Sequence, residues 1–109
     1  MAPAGTAMPD DKRAAHRALV DRVLNGPGTT TAQQRAEAFE NTDVNPAVQT
    51  LIGKVAATPA QITDADFDKA RAAGFTEDQL FELVIAAAVG RTTRMYESAL
   101  AALDQAAAG

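Results

Sequence analysis

The stretch Ile62-Thr63-Asp64-Ala65-Asp66-Phe67-Asp68-Lys69-Ala70-Arg71-Ala72-Ala73-Gly74-Phe75-Thr76-Glu77-Asp78-Gln79-Leu80 decides the fold. It writes two helix starts in succession. Thr63 and Asp66 have capping-box spacing, in which the side chain at the third helical position reaches back to the backbone N–H of the cap. Ile62 and Phe67 take the flanking staple positions, one residue before the cap and one in the second half-turn. Gly74 then ends the helix, as the residue that tolerates the backbone turn past a helix end. The same code follows at once, with Thr76 and Gln79 as the box and Phe75 and Leu80 as the staple. The stretch predicts two helices, about 64–73 and 77–105, joined at Ala73-Gly74-Phe75-Thr76.

Downstream, Leu80, Phe81, Leu83, Val84, Ile85, Ala86, Ala87, Ala88 and Val89 make the last helix apolar almost all round. Such a helix is buried on several sides, inside a bundle or an oligomer. Gly90 fits a kink or a close helix crossing. Upstream, Asn45-Pro46 reads as an N-cap followed by proline at the first helical position. Val48, Leu51, Ile52 and Val55 recur at helical spacing and predict a buried face. Thr58-Pro59 ends that helix. Thr31 and Gln34 open another, running to about Glu40. The first helix is expected from Asp10 or Asp11 to about Leu24, stopped by Asn25-Gly26-Pro27-Gly28. The reading is an all-α bundle of about five helices with a long, largely buried C-terminal helix. It forms one domain over 10–105, between a flexible tail at 1–9 and a frayed end at 106–109.

Composition limits the chemistry. The chain has 109 residues and no cysteine, so it offers no disulfide, no thiolate nucleophile and no Cys-based metal site. A single histidine, His16, excludes a two-histidine zinc site, and no metal or cofactor is expected. The net charge of −4 argues against nucleic acid, where phosphate neutralisation supplies most of the affinity, and against an anionic membrane surface. The helix that follows Gly74 has the offsets of a DNA-reading helix, but it opens with Glu77-Asp78 and would repel phosphate. The longest apolar run, Leu83 to Val89, is too short to cross a bilayer, and nothing at the N-terminus has the pattern of a signal peptide. A cytoplasmic location is the expectation. Alanine forms helix well but buries little area. The core is therefore expected to be thin, and association with a second copy is expected to add to it.

Four residues are candidates for a site. His16 falls among Leu19, Val20 and Val23 on the apolar arc of the first helix; it reads as a packed histidine with one hydrogen bond, or as an acid/base near neutrality. Asp66 reads as a helix-capping acid, or as a general acid/base if buried. Glu82 joins these two as a catalytic candidate. Arg91 lies on the side of Leu80, Val84 and Ala87. It is expected to pair with an acid, within the subunit or across an interface, or to hold an anionic ligand. Arg94 and Glu97 have the spacing of a surface pair.

The residues from Asn45 to Leu103 resemble the alkylhydroperoxidase D-like, or carboxymuconolactone decarboxylase-like, family. The resemblance rests on Ala70-Arg71-Ala72-Ala73-Gly74-Phe75 and on Glu82-Leu83-Val84-Ile85-Ala86-Ala87-Ala88-Val89-Gly90. It implies that family's helical fold. In the family, a C-x-x-C pair and a histidine precede this segment, with a glutamate upstream as proton partner. Aligned from Gly74, the cysteines fall at Pro59 and Ile62 and the histidine at Asp66. No acid occurs between Val44 and Thr63. The decarboxylase branch relies on the histidine as well. The resemblance therefore implies the fold without thiol peroxidase or disulfide reductase activity, and a shortened helix and loop where the cysteines would stand. The expected function is a noncatalytic, homo-oligomeric structural or regulatory subunit, on its own or paired with a cysteine-bearing relative. The alternatives are a thiol-free lyase- or isomerase-type enzyme and a small-molecule binding module.

Overall fold

The computed structural model describes residues 4–108, with side chains from Asp11 onward. Among them the chain forms five α-helices and no strand: α1 (Ala4–Asn25), α2 (Ala32–Glu40), α3 (Pro46–Ala57), α4 (Asp64–Ala72) and α5 (Glu77–Ala108), with a single 3-10 turn at Pro59–Gln61. This is the expected all-α bundle with a long C-terminal helix. Two ends differ from expectation. The first helix begins at Ala4 rather than at Asp10 or Asp11: Ala4, Ala7 and Met8 favour helix and carry it back through Pro9, although a proline there both removes a backbone donor and crowds the carbonyl four residues earlier. The last helix continues beyond 105 to Ala108, through alanines that sustain it. Of the two terminal segments, residues 1–3 and 109 lie outside the described residues.

Most of the local codes act as written; at Thr63 half of the box is made, since the Asp66 side chain accepts from Thr63 N–H while Asp66 N–H donates to the Thr63 carbonyl. Thr31 N–H donates to the Gln34 side chain at 2.9 Å and Gln34 N–H to the Thr31 hydroxyl at 3.0 Å. Thr76 and Gln79 repeat this reciprocal pair at 2.9 and 3.1 Å. The Asn45 side chain accepts from Ala47 N–H ahead of Pro46. At the end of α4, Gly74 takes φ +104°, Phe75 N–H reaches Ala70 O, and Gly74 N–H reaches Arg71 O. That is the paired closure that satisfies the last carbonyls of a helix. Asn41, at φ 52°, closes α2 in the same way.

The core lies where α3, α2 and the first half of α5 meet. Val48, Leu51, Ile52 and Val55 are buried, as their spacing predicts, against Ala38, Ala70, Leu80, Leu83, Ala86 and Ala87. Ile62, Phe67 and Phe75 pack at its edge. Gly90 stands at a close crossing of α2 and α5. A Cβ there would lie 2.0 Å from Phe39 O and 2.7 Å from its carbonyl carbon, so only glycine lets α2 approach α5 this closely.

Beyond Gly90 the molecule is not closed. The second half of α5 has α1 beside it, and residues 101–108 are all exposed. The Cα radius of gyration is 16.6 Å and the longest extent 57 Å, against about 13 Å for the radius of a compact domain of this size. The last helix is thus not buried all round. Its inner face is buried at Leu80, Leu83, Ala86, Ala87 and Gly90, while Phe81, Ile85, Met95 and Leu103 face outward.

Candidate functional site

Glu82 sits on the first turns of α5 and points into the α1–α2 connection. Its carboxylate accepts four hydrogen bonds, from the Thr29 backbone N–H (2.8 Å) and hydroxyl (2.6 Å) and from the Thr30 N–H (2.9 Å) and hydroxyl (2.6 Å). Arg35 lies 3.7 Å away. Burial pushes this carboxyl up, but the hydroxyl and backbone donors of Thr29 and Thr30 outweigh it and bring the pKa down to about 2. A carboxylate saturated by donors and ionised across the neutral range is a poor proton acceptor and a strong structural tie.

Arg35, one of the few buried polar side chains, completes this knot. Its guanidinium donates to Thr30 O (3.3 Å), Leu24 O (3.3 Å) and Gly26 O (2.8 Å), so it caps the end of α1 while standing on α2. Gly28 makes room for both charged groups, since a Cβ there would lie 2.5 Å from the guanidinium and 2.6 Å from the carboxylate. Sequence reading missed Arg35 and the two threonines. The threonines' partner, Glu82, is 52 and 53 residues away, and no local spacing signals it.

Asp66 is also in structural use. Its carboxylate accepts from Thr63 N–H at 2.8 Å and from the Thr63 hydroxyl at 3.2 Å, and Lys54 of α3 bridges both oxygens at 2.9 and 3.1 Å. The Lys54 ammonium, then the Thr63 N–H, hold its carboxyl below the usual carboxylate range. The expected interruption is present here: α3 stops at Ala57, and Pro59 to Ile62 form the 3-10 turn and the approach to α4.

His16 projects from α1 onto the outer half of α5. Its Nε2 lies 2.8 Å from the Thr93 hydroxyl, which itself donates to Val89 O at 2.8 Å. With its one proton so used, the hydroxyl accepts from the imidazole, so Nε2 carries the hydrogen. The ring leans on Tyr96 at 5.4 Å between centroids. Shallow surface grooves flank this contact, one bounded by Arg13, Arg17, Tyr96 and Leu100 and the other by Val20, Asp21 and Leu24.

The candidates do not converge. Asp66 belongs to the α3–α4 contact, Glu82 to the α1–α2 connection and His16 to the α1–α5 contact. The grooves beside His16 include none of the other three. Arg91 is half-buried and forms no hydrogen bond or ion pair among the described residues, so the pairing expected within the subunit is not made there. Arg94 does not pair with Glu97. It donates instead to Phe39 O at 2.7 Å, over the Gly90 crossing, where a buried carbonyl draws it inward. Between α2, α3 and α5, the space bounded by Val48, Ile52, Phe75 and Leu83 is about 10 Å³, enough for about one water. No group of three or more His, Asp or Glu side chains is placed to hold a metal ion among the described residues, and no helix there is long and apolar enough to cross a membrane.

What remains unassigned is the outer face of α5, where Phe81 is 67% exposed, Met95 59% and Leu103 65%. Comparison gives this face no precedent: no family model, no curated protein and no solved structure matches the chain.

Proposed function

We propose that the chain is a noncatalytic helical subunit that works by self-association, and that its likeness to the carboxymuconolactone decarboxylase-like family is a likeness of scaffold. The observation that carries this reading is the exposed apolar face of α5. Large apolar side chains held in water on a rigid helix mark an association surface rather than a finished exterior. Two further features support it. The acids that could serve as proton carriers are committed to folding the chain, Glu82 to four donors and Asp66 to Lys54 and Thr63. The positions where the family resemblance would put cysteines hold Pro59 and Ile62, in a 3-10 turn and its exit.

Light scattering coupled to size-exclusion chromatography tests the reading directly. The expected result is a mass of at least two chains at micromolar concentration. A monodisperse monomer across that range would overturn it.

A further inference from the structure

The outer face of α5 is a seam with a regular step. Phe81, Ile85, Ala88, Thr92, Met95, Ala99, Ala102 and Ala106 follow one another at intervals of four and three residues, and all are exposed. A four-three alternation is the period that keeps one stripe of a helix facing a partner helix. The bundle's own contacts use the opposite side, through Leu83, Ala86, Ala87 and Gly90. The seam is therefore open along its length.

We infer that the seam is occupied by the α5 helix of a second copy of this chain, running antiparallel, with Ala88 of each copy against Ala99 of the other. This rests on the self-association reading above and names its partner and geometry. The argument is one of size. The seam carries its large residues early, at Phe81 and Ile85, and its smallest late, at Ala99, Ala102 and Ala106. An antiparallel copy sets one half against the other. In the stated register Phe81 meets Ala106, Ile85 meets Ala102, Ala88 meets Ala99 and Thr92 meets Met95. Bulk meets space at each end, which is how facing helices fill a shared core without voids. A parallel copy would stack Phe81 on Phe81 and leave alanine opposite alanine over the last two turns of the seam.

Charge and area agree with this arrangement. Along the flanks the register sets Arg91 beside Ser98, Val84 beside Gln105 and Glu82 beside Leu103, so no two like charges face each other. From Phe81 to Ala106 the seam is about 38 Å long, and a third of the circumference of a helix about 12 Å across then covers roughly 500 Å² on each copy. The total of about 1,000 Å² reaches the size at which specific interfaces begin. The pairing also covers the outer half of α5, the part of the molecule that its own chain leaves most open.

The absence of cysteine makes the geometry directly testable. Three variants are compared under diamide oxidation on non-reducing gels: Ala88→Cys, Ala99→Cys and the double variant. Within one chain the two positions are about 16 Å apart along the helix and cannot bridge. Antiparallel pairing in this register predicts a covalent dimer from the double variant and monomer from each single one. Phe81→Glu, at an exposed position, is expected to keep its helical circular dichroism and to fall to the monomer mass in light scattering. Cross-linking of Ala88→Cys alone would indicate a parallel seam and overturn the inference. So would a Phe81→Glu variant that keeps the wild-type multimer mass, which would leave self-association standing through another surface. A wild-type monomer would remove both.

Discussion

The two halves of α5 are one continuous helix with opposite fates. In the first half Leu83 is 3% exposed, and in the second Leu103 is 65% exposed. Both are leucines in the same secondary structure, so helix propensity does not separate them. Neighbours do. The first half lies under α2 and α3 and carries Glu82, which ties it to the α1–α2 connection; the second has α1 along one side. A helix gains most of its stability in a protein from what it packs against. The comparison therefore locates the stability of the chain in the half before Arg91 and leaves the other half largely exposed.

The sharpest way to break this contrast is at its boundary. Gly90→Ala would drive a methyl group into the backbone of Phe39. It is expected to cost about 3 kcal/mol or more, since backbone cannot yield as a side chain can. Urea unfolding followed by circular dichroism measures this, and a loss below about 1 kcal/mol would mean that α2 does not rest on α5 as described.

The next effect comes from the Glu82 tie. Its carboxyl titrates near 2 when folded against an ordinary value of 4.5. The folded chain thus binds this proton more weakly than the unfolded chain. The stabilisation is complete above about pH 4.5 and is lost as the pH falls toward 2. Solvent at this partly exposed carboxylate screens the effect, which leaves it at about 2 kcal/mol. Asp66, also lowered, acts in the same direction. Glu82→Gln is expected to destabilise the chain by about 2 kcal/mol at pH 7 and to flatten the acid limb of a pH series of urea midpoints. An unchanged acid limb would show that the tie is not carrying this dependence.

The smallest effect is expected at the far end. Leu103→Ala, made on the Phe81→Glu background so that association does not contribute, should change stability by less than about 0.5 kcal/mol. A loss of about 2 kcal/mol would mean that the outer half of α5 is covered within its own chain.

How much of this was legible in the sequence follows from how far apart the interacting residues are. Thr31 with Gln34, Thr76 with Gln79, Asn45 with Pro46 and the Gly74 stop act within a few residues, and each does in the structure what its spacing says. The periodicity of Val48, Leu51, Ile52 and Val55 correctly marked a buried face. The all-round apolar run in α5 was misleading, because periodicity cannot say which side of such a helix its own bundle will cover; Phe81 and Ile85 fell outside. Long-range polar contacts were invisible. Nothing near Arg35 announces Leu24 and Gly26 as acceptors, and nothing near Arg94 announces Phe39 O rather than Glu97. Among the site candidates, sequence offered Asp66 as a helix-capping acid or an acid/base, and the capping role is the one it fills, whereas for Glu82 it offered only catalysis. The structure shows Asp66 and Glu82 in load-carrying contacts with Lys54, Thr63, Thr29 and Thr30.

The Glu82 knot also bears on the order in which the chain folds. Thr29 and Thr30 meet a residue more than fifty positions later, so the knot closes a loop spanning nearly half of the molecule. The entropy of that closure must be met before any of its hydrogen bonds is gained. The α3–α4 region, held by the much nearer Lys54–Asp66 contact, closes a far shorter loop. The knot is accordingly expected to form after the folding barrier and to act as a latch. Removing it with Glu82→Gln should then speed unfolding about thirty-fold and leave the refolding rate nearly unchanged, a partition that stopped-flow measurements read from the two limbs of the chevron.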